Sequence, residues 1–203
     1  MSNYRRANTK GGTYFFTVVT YRRQRFLCDE KVRNALRAGI KATQSTHPFT
    51  IDAWVLLPDH LHCLWTLPLD DADFGIRWAM IKRYVTKQCG PELKHDGWMS
   101  PSKHKRKESA FWQRRFWEHQ IRDEMDYERH MDYLHYNPVK HGLAEKVADW
   151  PHSTFHRYVR QGIYGMDWAG VTMDKNLAIS VNPEINEMVR GTHPTIGNGE
   201  LCE

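Results

Sequence analysis

Acidic residues are missing from the first 28 positions, where Arg5, Arg6, Lys10, Arg22, Arg23 and Arg25 stand without a counter-charge. Cysteine is sparse. Cys28, Cys63, Cys89 and Cys202 are scattered, with neither C-x-x-C pairs nor framework spacing, which fits free thiols in a reducing cytoplasm. Long hydrophobic runs are absent as well: FFTVVT and WVLLP fall far below the ~20 apolar residues that span a bilayer, and MSNYRRANTK has no apolar signal core. A soluble, cytoplasmic protein with no membrane partner is expected. There is no internal repeat, and no G-x-x-x-x-G-K-[ST] phosphate loop to support nucleotide hydrolysis.

What is present is basic charge, unevenly spread. The 203 residues carry a net +5. Residues 101–122 hold seven bases against two acids, whereas residues 171–203 hold two bases against five acids. Clustered cations gain affinity for a polyanion by releasing its counterions, so the main domain is expected to meet nucleic acid. One domain over residues 1–170 is expected, followed by an acidic, loosely ordered tail over 171–203.

Periodicity gives the elements. TYFFTVVTY is rich in β-branched and aromatic residues and predicts a strand. A helix follows from Asp29 or Glu30, with Val32, Leu36 and Ile40 recurring, and ends before His47-Pro48. FTIDAWVLLP is apolar on nearly both faces and predicts a central strand. Pro58-Asp59 turns the chain into a strand over Leu61–Leu67. A helix from about Asp73 to Gly90 comes next, then a long basic loop over 91–111. RRFWEHQI predicts a fourth strand. The last helix runs from Asp123 to about Asn137, where the following proline is expected to stop it. The order β-α-β-β-α-β-α is the ferredoxin-like pattern, an α+β fold with an antiparallel sheet, plus one extra helix.

Two stretches carry chemistry. In LLPDHLHCLW, His60 and His62 share one strand face while Leu61, Cys63, Trp65 and Leu67 share the other. Their Cα atoms are ~6.6 Å apart, close enough for both imidazoles to chelate one ion. A hydrogen-bonded pair of edge histidines has the same spacing. On the last helix Tyr127, Met131, Leu134 and Pro138 form an apolar stripe. Asp126, His130, Tyr133 and Asn137 form a polar face beside it. A phenol is a poor nucleophile at its usual pKa of about 10 and gains from a metal ion that polarises the phosphate it attacks. Tyr133 fits that role, or that of an ordinary half-buried helix tyrosine, and the Asn137 amide oxygen is placed to complete a metal site begun by the histidines.

PDHLHCLW matches the His-hydrophobic-His signature of HUH endonucleases. FWQRRFWEH-x-IRDEMDYERHMDYLHYNPVKHG resembles the segment bearing the single catalytic tyrosine of REP-associated tyrosine transposases, and the stretches at 3–27 and 149–164 resemble the same family. That resemblance implies a ferredoxin-like HUH domain that cleaves and rejoins single-stranded DNA at or near repetitive extragenic palindrome (REP) hairpins through a 5′-phosphotyrosine. It implies His60 and His62 as metal ligands and Tyr133 as nucleophile. Asn137 stands where more distant single-tyrosine transposases have a glutamine ligand. Mg²⁺ is the expected ion, with Mn²⁺ a competent substitute. Tyr136 is the rival nucleophile, and His119, His130 and His135 are candidates for proton handling.

DNA contacts are expected from Arg5, Arg6, Lys82, Arg83, Lys103, Lys105, Arg106, Lys107, Arg114 and Arg115, with Trp112, Phe116 and Trp117 offering stacking faces. A monomer is favoured over a homodimer. Two rival readings are a non-catalytic DNA or RNA binder and a hydrolytic, metal-dependent nuclease. Replacing Lys103, Lys105, Arg106 and Lys107 together by glutamine is expected to weaken hairpin binding and flatten its salt dependence in a filter-binding titration; unchanged binding would remove the loop from the site.

Overall fold

The computed structural model describes residues 9–93 and 110–168. Strands and long helices follow in the order β1 (Thr13–Val19), α1 (Glu30–Thr46), β2 (Thr50–Leu56), β3 (His60–Thr66), α2 (Phe74–Leu93), β4 (Trp117–Gln120) and α3 (Glu124–Lys140), and a short helix α4 (Phe155–Arg160) comes last. The sheet order is β2-β3-β1-β4, with every neighbouring pair antiparallel. This is the ferredoxin-like arrangement expected from the sequence, with α3 as the additional helix.

Strict alternation along β1 and β3 sorts two faces. Tyr14, Phe16 and Val18 join Leu61, Cys63 and Trp65 in the main core, to which α1 adds Val32 and Leu36 and α2 adds Phe74, Trp78, Ile81 and Val85. Trp65 stacks on Trp78 with ring centres 4.3 Å apart. The helices meet closely at Gly39, where an added Cβ would lie 3.1 Å from Tyr84 Cδ1. The other face carries Phe15, Thr17, His60 and His62, and α3 packs across it over β2 and β3.

Four expectations need correction. β2 is an edge strand, not a central one. It is apolar on both faces because one packs on the main core and α3 covers the other, and its free edge is covered by the chain at 152–154: the Leu56 N–H donates to the His152 carbonyl (2.8 Å), and the Thr154 N–H donates to the Trp54 carbonyl (2.8 Å). β4 is limited to Trp117–Gln120. α2 runs past Gly90 to Leu93, since Gly90 does not enter the left-handed region that ends helices. α3 passes through Pro138 to Lys140. A proline forfeits one hydrogen bond to the carbonyl four residues back, but here the buried Asn137 and Pro138 side chains hold the turn. The stop comes from Gly142, at φ 65°. Its N–H donates to the Val139 carbonyl and that of Leu143 to the Pro138 carbonyl, both at 2.9 Å, which is the Schellman pattern.

None of the described helices is long and apolar enough to cross a membrane. Residues 94–109 of the expected basic loop, and the tail over 171–203, lie outside the described residues.

His135 locks α3 to the cover of β2. It is fully buried, with Nε2 3.1 Å from Thr154 Oγ1. Burial, with the nearby charge of Arg157, lowers its pKa to about 3. An unfolded histidine titrates near 6.5, so in the window between the two values the unfolded chain binds a proton that the folded chain refuses. The contribution is complete above the unfolded pKa and is lost as pH falls. Urea titrations from about pH 6 to about pH 4 are expected to show about 1.4 kcal/mol of stability lost per pH unit through this residue, a share absent from His135→Gln. Equal slopes for the two proteins would contradict the assignment.

Candidate active site

Antiparallel pairing places Thr17 of β1 directly opposite His62 of β3. Thr17 Oγ1 lies 2.8 Å from His62 Nδ1, and Asp59 Oδ1 lies 2.7 Å from His60 Nδ1. Asp59 is itself held by Arg23, whose Nε is 2.9 Å from Oδ2. Arg23 reaches it from a left-handed backbone (φ 53°), a conformation costly for a residue with a Cβ. Burial alone would raise the Asp59 pKa, but the His60 hydrogen bond and the charges of His60 and Arg23 outweigh it and lower it.

The outward nitrogens contrast with these. Nε2 of His60 and Nε2 of His62 are buried with no hydrogen bond of good geometry, and so are both amide atoms of Asn137 on α3, although that amide stands near enough to His62 and Tyr133 to shift the pKa of each. The three residues are 1%, 0% and 0% exposed. The histidine pair does lie on the sheet face opposite the main core, as its spacing predicts, but α3 closes over that face and buries it. Buried polar atoms are rarely left unpaired, and those that are need an explanation. Two imidazoles with ring centres 5.0 Å apart, each with Nδ1 engaged by a carboxylate or a hydroxyl and with the Asn137 amide beside His62, offer a donor set that fits a divalent cation. Burial, followed by the charges of His60, His141 and Lys140, pushes the His62 pKa well down, so its lone pair is available at neutral pH.

Tyr133 lies beside this centre. Its ring is 5.4 Å from the His62 ring and 6.0 Å from that of Phe15, and Lys140 Nζ stands 4.8 Å from its centre. Burial raises its pKa, offset in part by the Asn137 amide. The polar face of α3 is thus the one pressed onto the sheet: Asp126, His130, Tyr133 and Asn137 are buried along with Met131 and Leu134. Tyr136 is half-buried on the flank.

A second cluster joins α3 to β4. His119 Nε2 lies 2.8 Å from Asp126 Oδ2, and His130 Nδ1 lies 3.1 Å from Oδ1. Three ligand atoms lie within 4.8 Å of one another here, but the two imidazoles stack at 4.5 Å and 14°. Their in-plane lone pairs run side by side instead of converging, and both carboxylate oxygens are already engaged. The cluster is a hydrogen-bonded clamp. Burial alone would raise the Asp126 pKa, yet the His119 hydrogen bond and charge lower it.

The residues expected to bind DNA are dispersed. Arg83, Arg114 and Arg115 are exposed. Lys82 donates to the Gln113 carbonyl at 2.8 Å and faces the Phe116 ring. Trp112 is 7% exposed and part of the core, so it offers no stacking face, contrary to expectation; its alternation with Phe111 concealed this. Arg5, Arg6, Lys103, Lys105, Arg106 and Lys107 lie outside the described residues. Sequence reasoning missed Thr17, which only strand register reveals, and Asp59, although it directly precedes His60. It also missed Lys140, hidden by ending the helix at the proline.

The fold and this centre define an α+β domain of ferredoxin-like build with a buried two-histidine, amide and tyrosine site. No protein-family model matches the chain. It is 47% identical over 174 residues to a REP-associated tyrosine transposase of Escherichia coli K12, covering 86% of this chain and 94% of that protein. A relative in Haemophilus influenzae named for the same family is 46% identical over 170 residues, covering 84% of this chain and 94% of its own. A solved structure of a REP-associated tyrosine transposase bound to a REP hairpin matches with a TM-score of 0.72 at 46% identity, over 86% of this chain and 94% of that one. The chain belongs to the REP-associated tyrosine transposase family.

Because the Asn137 amide is buried and unpaired, Asn137→Leu is expected to raise metal-free stability by about 1 to 3 kcal/mol in urea unfolding while weakening Mn²⁺ binding by calorimetry. A destabilised variant with undiminished Mn²⁺ affinity would contradict the role given to the amide.

Proposed function

We propose that the protein cuts and rejoins single-stranded DNA at or near REP hairpins, with Tyr133 as nucleophile and His60, His62 and Asn137 as ligands of a divalent cation. The observation that carries this reading is the set of buried, unpaired His60 Nε2, His62 Nε2 and Asn137 amide atoms beside the Tyr133 ring. A relative held in a solved structure with a REP hairpin supports the choice of substrate.

Mg²⁺, or Mn²⁺ in its place, supplies Lewis-acid polarisation of the scissile phosphate when bound. The rest falls to the chain. Asp59 and Thr17 hold both imidazoles with Nε2 directed away from their own strand. Tyr133 Oη attacks phosphorus in line and gives up its proton to water; the bond to the 3′ oxygen breaks, leaving a 5′-phosphotyrosine and, after that oxygen takes a proton from water, a 3′-hydroxyl. The phosphodiester energy is kept in the new ester, so a 3′-hydroxyl reverses the step and joins strands without ATP. Lys140, with Nζ over the Tyr133 ring, adds positive charge where the attacking oxygen becomes anionic.

A denaturing gel of protein mixed with an end-labelled hairpin oligonucleotide and Mg²⁺ or Mn²⁺ tests the proposal. A labelled band at protein mass, absent from Tyr133→Phe and His60→Ala, is expected. Cut DNA without an adduct would replace it with hydrolysis by water, and binding with neither product would leave a recognition protein.

A further inference from the structure

A cleft of about 380 Å³ opens between α1, β2 and the chain at 151–154. Leu36, Ile40, Trp54 and Leu56 line it and also pack on the main core, so it lies on the sheet face opposite His60 and His62. Arg33, Arg37 and Lys41 stand along α1 at its rim, and no lining residue is acidic. Arg33 Nε is buried there without a hydrogen-bond partner. The field of these cations is felt across the cleft: burial, then Arg33 and Arg37, lowers the pKa of His152 on the opposite wall.

We infer that this cleft is a second nucleic-acid subsite, taking about three consecutive phosphodiesters on Arg33, Arg37 and Lys41 and one unpaired base against the half-buried Trp54. The inference rests on the reading of the protein as a DNA-processing enzyme and adds a contact remote from the scissile phosphate. Cations four residues apart rise ~6 Å along the helix, a step comparable to the gap between neighbouring phosphates of an unstacked strand. An acidic peptide would satisfy the charges but would leave the indole face without a flat partner. The volume is of the size that admits a nucleotide-scale ligand. The wall at 152–154 is hydrogen-bonded to β2 and, through Thr154, to His135 on α3. A strand seated in the cleft is thereby anchored to the helix that carries Tyr133.

The test is fluorescence anisotropy of a labelled hairpin with a single-stranded flank, titrated at several salt concentrations. It compares wild type, the triple variant Arg33→Gln, Arg37→Gln, Lys41→Gln, and a control variant, Lys146→Gln with Arg160→Gln, altered at two exposed bases outside the cleft. Neutralising three single-strand phosphate contacts is expected to flatten the log–log salt slope by roughly 2 units and weaken binding at low salt about tenfold to a hundredfold. The control should follow wild type. Equal slopes and affinities for the triple variant and the control overturn the subsite. So does a triple variant that keeps hairpin affinity but loses a poly-glutamate peptide bound by wild type, which would make the cleft a protein-docking site. The covalent assay on wild type separates this from the catalytic reading. Loss of the adduct with the slope difference intact refutes covalent chemistry alone, and equal slopes with the adduct intact refute the cleft alone.

Discussion

Two imidazoles stripped of solvent, each pinned by Nδ1 and left unpaired at Nε2, are the constraint around which this structure is arranged. Leaving a buried polar group unpaired costs about 1 to 3 kcal/mol, and here two ring nitrogens and a whole amide stand so. The neighbouring elements keep that arrangement in place. Thr17 comes from the strand opposite, Asp59 from the turn before β3, and Arg23 from a strained turn after β1. Backbone strain beside several unpaired polar atoms of chemically complementary type is what a site maintained for function, not stability, shows.

α3 brings the remaining parts. One face of this helix supplies Asn137 to the histidines, lays Tyr133 against His62, and fastens itself to β4 through Asp126. Phe15 sits beneath, in contact with His62, His130 and Tyr133 at ring separations of 5.3, 4.9 and 6.0 Å. Clamps at both ends, His119–Asp126–His130 and His135–Thr154, fix the helix so that the position of the Tyr133 phenol is set by the fold. Such preorganisation is what allows a weak nucleophile to serve, since orientation replaces intrinsic reactivity.

The strand and helix order was legible in the sequence because period-two and helical patterns rarely conflict in β1, α1 and α3. The histidine pair and Tyr133 were legible through their spacing and through resemblance. Burial was not: nothing local tells that the polar face of α3, with Asp126, His130 and Asn137, is the one that closes on the sheet. The edge position of β2 was misread because its cover at 152–154 comes from about a hundred residues downstream, and Pro138 hid the last helical turn with Lys140. Thr17 required strand register, which depends on pairing across 45 residues.

The most direct measurement is electron spin-echo envelope modulation on the Mn²⁺-loaded protein, which counts imidazole nitrogens bound to the ion. The account predicts two coupled nitrogens, reduced to one in His60→Ala and in His62→Ala and unchanged in His119→Ala. A spectrum without nitrogen coupling, or one altered only by His119→Ala, would place the metal elsewhere and contradict the account.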